Sequence, residues 1–520
     1  MEETATLTIG DRHAMESAPS RRLAFICVTV ASLVYFAGLL HYAQVRPLDG
    51  DEGYYTSAAR LVWEGKTPYK DFAFPQGILV PYLYSWTWAV HPRSLAAMRF
   101  LSAACGAIAA LVWGVWLLSR RRLSTTVALA TFAVVLFNPY WVWWNTALKT
   151  FAITNLLTSI AMICLYVALQ SRRTEWYAGA GLALGICASA RSLYAPLVPF
   201  VLVWLFYYEW RSPARRLRGT LAFLGGAAFG VLPMIISFVM GPQAFVFNNV
   251  RYRSLLSPHP SLRHTIHVYL NNLLSLFHHT YFVVTVLLAV AGAISLLYRR
   301  NRRDLPYDRQ DYSYFQLAFL MLLVYVATAS IPFPVFDQYF TSPLLPFLVV
   351  FIAEGLRVSM RFRTVTVLAL AVILPILFFR GLKSEAAEYA PGAYQQLASF
   401  RAITEVVEAN SRESDVVLSI WPGYVFASGR QYLPGSENQF NYDVANKISP
   451  EERKQFHVLS TSEVIDAISS NVVSIFITYG SKYYFEATMS PAQLQTFHAA
   501  LDTNYNLVGA RDGVEVYRRR

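Results

Sequence analysis

Long apolar runs separated by short polar segments dominate the pattern of the chain. A helix needs roughly 17 to 25 mostly apolar residues to cross a bilayer. With 55% hydrophobic and only 15% charged residues, the chain is too apolar for an ordinary soluble protein. The pattern predicts an α-helical multispanning membrane protein with about 11 spans. The candidate spans are residues 23–43, 95–118, 126–144, 147–169, 177–192 (a short run), 194–210, 219–240, 281–298, 314–331, 339–357 and 363–380.

The distribution of charge predicts how these spans are oriented. Residues 381–520 hold 12 Lys and Arg against 16 Asp and Glu, so the excess behind the net charge of +12 lies in the rest of the chain. There the basic residues cluster between apolar runs, as they do in cytoplasmic loops. We therefore expect a lipid bilayer and no nucleic acid as partner, with the N-terminus cytoplasmic and the C-terminal segment outside. The clusters lie at 21–22, 120–122, 172–173, 211–218, 299–303 and 357–363.

Beyond residue 380 the hydrophobic period shortens and the charged fraction rises. Three runs there are typical of strands, at 416–420, 472–478 and 514–517. Three others are typical of helices, at 402–409, 463–469 and 491–501. The alternation predicts a soluble extracytoplasmic α/β domain at 381–520. It follows a cytoplasmic segment at 1–22 and a transmembrane domain at 23–380.

The first outer loop, 46–93, carries the strongest candidate for chemistry. Its aromatic residues and its proline break favour a segment that lies along the membrane surface, and the predicted orientation requires that 78–90 does not cross. The loop opens with Asp51 and Glu52, and a carboxylate there can act as a general base. Acids before a helix also stabilise its positive end. The residues alone leave both roles open for Asp51.

Three cations are predicted near the outer ends of spans, on the side that carries Asp51. They are Arg99, Lys149 and Arg191. Charged groups at such depths are costly and are commonly functional. A lipid phosphate is the expected anion, because arginine binds its oxygens in a fixed fork. Each side chain alone could simply extend to the headgroups, but three together favour a phosphate site.

Two later outer segments add weaker candidates for substrate binding. The loop 241–280 contains Arg251 and Arg253, together with five histidines but no acidic residue, which argues against a metal there. Asp337, Gln338 and Tyr339 lie at the outer mouth of a span and could bind sugar hydroxyls or a cation. No nucleotide-binding glycine motif is present, so an activated substrate that arrives through the membrane fits the chain better than a nucleotide sugar.

Several of these stretches together resemble the GT-C glycosyltransferases of the protein-O-mannosyltransferase and aminoarabinose-transferase type (glycosyltransferase family 39-like). The resemblance covers roughly residues 20–380 and depends on the order of the motifs. The motifs are DEGYY at 51–55, YKDF at 69–72 with PQG at 75–77, MRFLSA at 98–103, GLALG at 181–185 with SAR at 189–191, and more loosely QY at 338–339 with LLP at 344–346.

The resemblance implies a membrane glycosyltransferase of cell-envelope type that uses a polyprenyl-phosphate sugar donor. A single inverting displacement would transfer the sugar to an acceptor hydroxyl or amine on a glycan, lipid or protein outside the membrane. Asp51 would be the base, and Glu52 would orient the base or the acceptor. Arg191, helped by Arg99 and Lys149, would neutralise the leaving phosphate.

The chain also departs from these relatives in two places. The stretch WNTALKTF at 144–151 lacks their second acidic residue, and AFPQ at 73–76 lacks the glutamate of the aminoarabinose-transferase type. The residues therefore identify no metal ligands and no cofactor, although a divalent metal stays open.

The main alternative is a transporter or flippase for a lipid-linked sugar. A transporter places its polar groups near the midplane of the bilayer, often on broken helices, whereas the candidates here lie at the outer ends of spans. A membrane-anchored binding protein, with 381–520 as its working part, is a third reading. The absence of an Asn-x-Ser/Thr sequon from the chain favours a bacterial cytoplasmic membrane over an endoplasmic reticulum.

Overall fold

The computed structural model describes residues 18–120, 122–208, 213–256, 262–301, 309–331, 336–478 and 485–520. Its first part, up to residue 389, is helical, and its last part combines helices with one sheet. Most of the predicted N-terminal segment 1–22 lies outside the described residues. The division into domains stays a prediction, and the last helix of the first part runs past residue 380 to Tyr389.

The first part of the chain consists of helices joined by short turns. The helices up to residue 240 are α1 (Ala18–Val45), α2 (Glu52–Trp63), α3 (Leu79–Ser85), α4 (Thr87–Val90), α5 (Leu95–Ser119), α6 (Thr125–Leu136), α7 (Pro139–Asn145), α8 (Phe151–Ser171), α9 (Thr174–Ala190), α10 (Leu197–Tyr208), α11 (Pro213–Gly230) and α12 (Leu232–Met240). Those that follow are α13 (Pro242–Val246), α14 (Tyr252–Leu256), α15 (Leu262–Ser275), α16 (Thr280–Asn301), α17 (Arg309–Ala329), α18 (Gln338–Thr341), α19 (Leu345–Ser359) and α20 (Arg363–Tyr389).

The helical part makes the chain an integral multi-pass membrane protein. Among the described residues six helices are long and apolar enough to cross a membrane, or up to eight if each of two bent pairs, α6 with α7 and α11 with α12, is one span. The predicted count of about 11 is not confirmed, although each predicted run contains helix in the part of the chain that the structure describes. Helix α9, with 17 residues, and α10, with 12, are short for a span. Helices α3 and α4 are far too short to cross.

One of the six long helical runs, Leu345–Tyr389, is a hairpin. Its backbone breaks at Phe362, where φ is −109° and ψ is 56°. The Tyr389 hydroxyl at its far end hydrogen-bonds Asp337, which lies eight positions before the first residue of the run. Helices α19 and α20 therefore run in opposite directions and bring both outer ends of the run to the same place.

The basic clusters gather at the other end of the bundle. Asp311 lies 3.5 Å from Arg120 and 3.1 Å from Arg122. Glu354, on α19, lies 3.2 Å from Arg299 at the end of α16. Charged loops that are far apart in sequence thus share one face of the molecule, opposite the face that carries Asp51.

Helices α9 and α11 pack backbone against backbone. A Cβ on Gly185 would lie 2.4 Å from the Ala227 carbonyl oxygen, and one on Gly226 would lie 2.1 Å from that of Ala178. Small residues allow such close approach between membrane helices. This packing fixes the end of α9, after which Arg191 projects.

The last part of the chain is the α/β unit that the sequence predicts. Its sheet has the order β2-β1-β3-β5-β4, with β1 parallel to β2 and β3, and β5 antiparallel to β3 and β4. The strands are β1 (Val416–Ser419), β2 (Gln431–Tyr432), β3 (Ile475–Ile477), β4 (Tyr505–Arg511) and β5 (Val514–Arg519). The helices are α21 (Leu397–Ala409), α22 (Gly423–Ser428), α23 (Asn441–Ala445), α24 (Pro450–Phe456), α25 (Thr461–Ser469) and α26 (Pro491–Asn504).

The α/β unit packs directly on the first outer loop. Helix α2, the loop after it and helices α21 and α22 share one hydrophobic core, in which Trp421 is 1% exposed. Its indole nitrogen donates to the Gly50 carbonyl at 2.8 Å. Arg60, on α2, donates to the carbonyls of Arg430 at 2.7 Å and Val425 at 3.2 Å. A side chain on Gly53 would collide with Trp421. The C-terminal unit therefore holds the segment that carries Asp51.

Candidate active site

Asp51 lies at the turn that begins α2. Its side chain makes no capping hydrogen bond to that helix, although the residue occupies the N-cap position. Instead the Asp49 carboxylate accepts the Asp51 backbone N–H at 2.9 Å and shapes the turn. The Asp51 side chain is 37% exposed, whereas Asp49 is buried. Asp51 is thus an accessible carboxylate on a constrained turn, placed at the start of α2 but without a capping hydrogen bond to it.

The Lys149 ammonium binds acceptors from two distant parts of the chain. Its ammonium nitrogen lies 2.9 Å from Asp49 Oδ1, 2.9 Å from Asp51 Oδ2 and 3.2 Å from Gln338 Oε1. An ammonium has three N–H donors, so these contacts use all of them. Burial lowers the pKa of Lys149, but Asp49 and Asp51 together raise it above its ordinary value. Lys149 is therefore a charged anchor that holds Asp51 in place.

Glu52 points the other way, into a buried ion pair with Arg99. Arg99 Nε lies 2.8 Å from Glu52 Oε1, and Nη2 lies 2.5 Å from Oε2. The remaining N–H groups of Arg99 donate to the carbonyls of Ala43, Arg46 and Pro47, which lie at and just after the end of α1. Burial raises the pKa of Glu52, but the charge and hydrogen bonds of Arg99 lower it to about 2. Both side chains are fully engaged in joining α1, α2 and α5.

Two guanidinium groups converge on Tyr339. Arg191 lies with its guanidinium carbon 4.7 Å from the centre of the Tyr339 ring and 4.3 Å from that of Phe151, and it donates to Thr150 Oγ1 at 3.0 Å. Arg253, on α14, lies close enough to Tyr339 to interact with it electrostatically. Within the described ranges no carboxylate pairs with Arg191. A cation stacked between two rings without an anionic partner is suited to bind an external anion.

Tyr55 connects the carboxylate with this cationic group. Burial raises the pKa of Tyr55, and the Asp51 carboxylate adds to the effect. Arg191, Lys149 and Arg253 act on the same hydroxyl in the opposite direction. The buried phenol of Tyr55 is therefore near enough to all four side chains to interact electrostatically with each of them.

Asp337 and Gln338 are adjacent in sequence but face different groups. Gln338 accepts from Lys149, as described, and belongs to the Asp51 cluster. Asp337 accepts from His279 Nε2 at 2.8 Å and from the backbone N–H of Gln338 at 2.7 Å. Arg251 is not brought to the cluster: it forms an exposed ion pair with Glu452 of α24.

Two members of the cluster were missed by the sequence interpretation. Asp49 accepts the Asp51 backbone N–H and shares the Lys149 ammonium with Asp51. Tyr55 lies near the Asp51 carboxylate and the cations. The signal for Asp49 was its position two residues before Asp51, since Asx side chains commonly bond the backbone two residues on. For Tyr55 the only signal in the sequence was its position in the DEGYY motif at 51–55, one of the motifs that carry the family resemblance.

Comparisons with known proteins agree with this architecture. Residues 75–241 match the family model described as dolichyl-phosphate-mannose-protein mannosyltransferase. The chain is similar to the crystal structure of ArnT from Cupriavidus metallidurans bound to undecaprenyl phosphate, with a TM-score of 0.60, 14% identity and coverage of 96% of this chain and 98% of that one. The apo structure of the same ArnT gives a TM-score of 0.52 at 13% identity, with the same coverage.

A comparison with curated proteins gave no significant match. The family model covers the second half of the first outer loop and the spans up to α12, and the structural match extends over nearly the whole length. The chain therefore has the fold of the ArnT structures, and the family model matched by residues 75–241 agrees with the resemblance carried by its motifs.

Proposed function

We propose that the protein is a membrane glycosyltransferase that transfers a sugar from a polyprenyl-phosphate donor to an acceptor hydroxyl or amine. Asp51 removes the acceptor proton as the acceptor attacks the anomeric carbon, in a single inverting displacement. The observation that carries the proposal is the juxtaposition of the accessible, anchored Asp51 carboxylate with Arg191, which pairs with no carboxylate among the described residues. The matched family model and the ArnT fold support the same class of reaction and do not support a flippase.

The leaving phosphate belongs at Arg191 and Arg253. Arg191 stacks on the Tyr339 ring and Arg253 lies near the same residue, and a phosphate bound there would accept hydrogen bonds from arginine in the fork geometry that suits it. The ArnT structure was solved with undecaprenyl phosphate, and a polyprenyl phosphate would present the same anion at this depth. Charge that develops on the phosphate in the transition state would be stabilised there.

Glu52, Arg99 and Lys149 act as positioning residues in this proposal. The N–H donors of Arg99 and of Lys149 are occupied by protein acceptors, so neither side chain has a free donor for a phosphate. Arg99 and Glu52 fix the start of α2, and Lys149 fixes Asp51. The phosphate-binding role predicted for Arg99 and Lys149 stays a prediction, and this geometry favours anchoring.

The reaction would occur on the outer face of a bacterial cytoplasmic membrane. The basic clusters that gather at Asp311 and Glu354 lie on the face opposite Asp51. Because positively charged loops stay cytoplasmic, this arrangement supports a cytoplasmic N-terminus, with Asp51 and the C-terminal unit outside.

Asp51→Asn tests the proposal directly, because it keeps the shape of the side chain and removes the base. Transfer of radiolabelled sugar from polyprenyl-phosphate donors to membrane acceptors would be measured for wild type and variant at equal abundance. We expect a loss of about 10²- to 10⁴-fold, the usual contribution of a general base. Arg191→Gln should raise the KM for the donor and also lower kcat, because Arg191 would bind the phosphate in both the ground state and the transition state.

Asp71→Asn is the matched control. Asp71 is an exposed carboxylate of the same outer loop that accepts the Thr67 backbone N–H, and its variant should transfer sugar like wild type. Equal transfer by wild type and the Asp51 variant would refute the assignment of the base. Movement of the donor across vesicles without any product would favour the flippase.

A further inference from the structure

A second cluster of ionisable side chains lies at the outer end of the helical hairpin. His279 precedes α16, Asp337 precedes α18, and Glu385 and Glu388 lie in the last turns of α20. One ligand atom from each of these four lies within 4.8 Å of the others. The first three side chains are buried, and Glu388 is exposed. Three helices that are distant in sequence thus bring an imidazole and three carboxylates to one point.

Glu385 is the member of this cluster whose burial is not compensated by hydrogen bonds from the protein. It is 1% exposed, and neither of its carboxylate oxygens accepts a hydrogen bond. Its nearest ionisable nitrogen is His279 Nδ1 at 3.8 Å, beyond hydrogen-bonding distance. The Trp144 indole N–H lies beside it but is itself without an acceptor. An unsatisfied buried carboxylate is costly, and here it is aimed at two other ligand-type groups.

Charge compensation within the protein is also incomplete. Asp337 takes hydrogen bonds from His279 and Tyr389, but Glu385 and Glu388 add two further carboxyl groups. Arg46 acts on Glu385 electrostatically, yet among the described residues no lysine or arginine lies within 4 Å of this carboxylate. A divalent cation would neutralise the cluster and satisfy Glu385 at once.

We propose that His279, Asp337, Glu385 and Glu388 form a binding site for a divalent transition metal, with Zn²⁺ as the best match. Zn²⁺ takes histidine nitrogen and carboxylate oxygen in four-coordinate sites. The site is separate from Asp51, and the argument for it does not depend on the proposed reaction. Because Asp337 precedes Gln338, which accepts from Lys149, the metal would also stiffen the scaffold behind the carboxylate.

The metal content of the purified protein tests this proposal. The full chain would be purified in detergent through a tag that does not chelate metals, dialysed against limiting Zn²⁺, and analysed by elemental mass spectrometry. We expect about one Zn²⁺ per chain for wild type. Glu385→Gln and His279→Gln should lower the occupancy about tenfold or more under the same conditions. Chelation should lower the unfolding temperature of wild type, and added Zn²⁺ should restore it.

Glu354→Gln provides the matched control. Glu354 is another buried carboxylate of the hairpin, but it pairs with Arg299 and Arg357, so its variant should keep the metal. The proposal is overturned if wild type retains no more Zn²⁺ or Mn²⁺ than Glu385→Gln, or if Glu354→Gln, confirmed as folded by gel filtration, loses the metal to the same extent.

Discussion

Lys149 illustrates how much of this site depends on single side chains. The sequence indicated that it was a cation near the outer end of a span, and from that position a phosphate was the expected partner. The structure instead surrounds its ammonium with Asp49, Asp51 and Gln338. Partners about 100 and 190 positions away along the chain leave no trace in local spacing. The type of residue and its depth were predictable, but its contacts were not.

The pH dependence of stability tests the buried ion pair of Glu52 with Arg99. Its pKa is about 2 in the folded protein because of Arg99, against about 4.3 in an unfolded chain. A lowered folded pKa stabilises the protein above the unfolded pKa, and the stabilisation is lost as pH falls toward the folded value. We therefore expect the unfolding temperature of wild type to fall between about pH 4.3 and 2 more steeply than that of Glu52→Gln.

At neutral pH the same substitution should destabilise the protein by about 3 kcal/mol, because it leaves the buried Arg99 without its anion. Glu64→Gln is the control at the other end of α2, because the Glu64 side chain, which pairs with Arg60, is 35% exposed. It should cost about 1 kcal/mol or less. Scanning fluorimetry in detergent measures both variants. Equal losses would contradict a special role for the Glu52–Arg99 pair.

At the scale of elements, long apolar runs were good predictors and short mixed ones were not. Each predicted span contains helix among the described residues, and the strands β1, β3 and β5 were anticipated from β-branched runs. Strand β4, Tyr505–Arg511, was missed because its exposed face and its glycine weaken the apolar alternation. It forms through pairing with β5, a tertiary contact that local propensity does not encode.

The close packing of α9 and α11 gives a prediction about elements. Gly226→Ala places a methyl group against the Ala178 carbonyl, which would lie only 2.1 Å away. Separating the two backbones should destabilise the protein by about 1 to 3 kcal/mol and displace the end of α9 that carries Arg191. Unfolding temperature and donor KM are the measurements.

Gly225→Ala is a control one residue away on the same helix. No atom lies within 4 Å of a Cβ added at Gly225, so this variant should be as stable as wild type or slightly more stable. If both substitutions cost the same, helix propensity and not packing would explain the loss at Gly226.

At the scale of the whole molecule, the C-terminal unit is part of the proposed site. Trp421→Ala removes a buried ring and the hydrogen bond to the Gly50 carbonyl. The cavity should cost about 3 to 5 kcal/mol locally and loosen the loop that carries Asp51. We expect lower sugar transfer and faster trypsin cleavage at Lys66. Trp176→Ala, at a residue 37% exposed, should change neither, and unchanged cleavage in the Trp421 variant would contradict the prediction.

The contacts between Arg60 and the carbonyls of Val425 and Arg430 join residues that are 365 and 370 positions apart. During synthesis the loop that bears Asp51 leaves the ribosome early, and its partner surface is made near the end. Chains fold unit by unit as they emerge, so the loop must wait without its partner surface until the C-terminal unit has been made and folded. A chain interrupted before that point would be inserted but unable to act, and activity would begin only with the completed molecule.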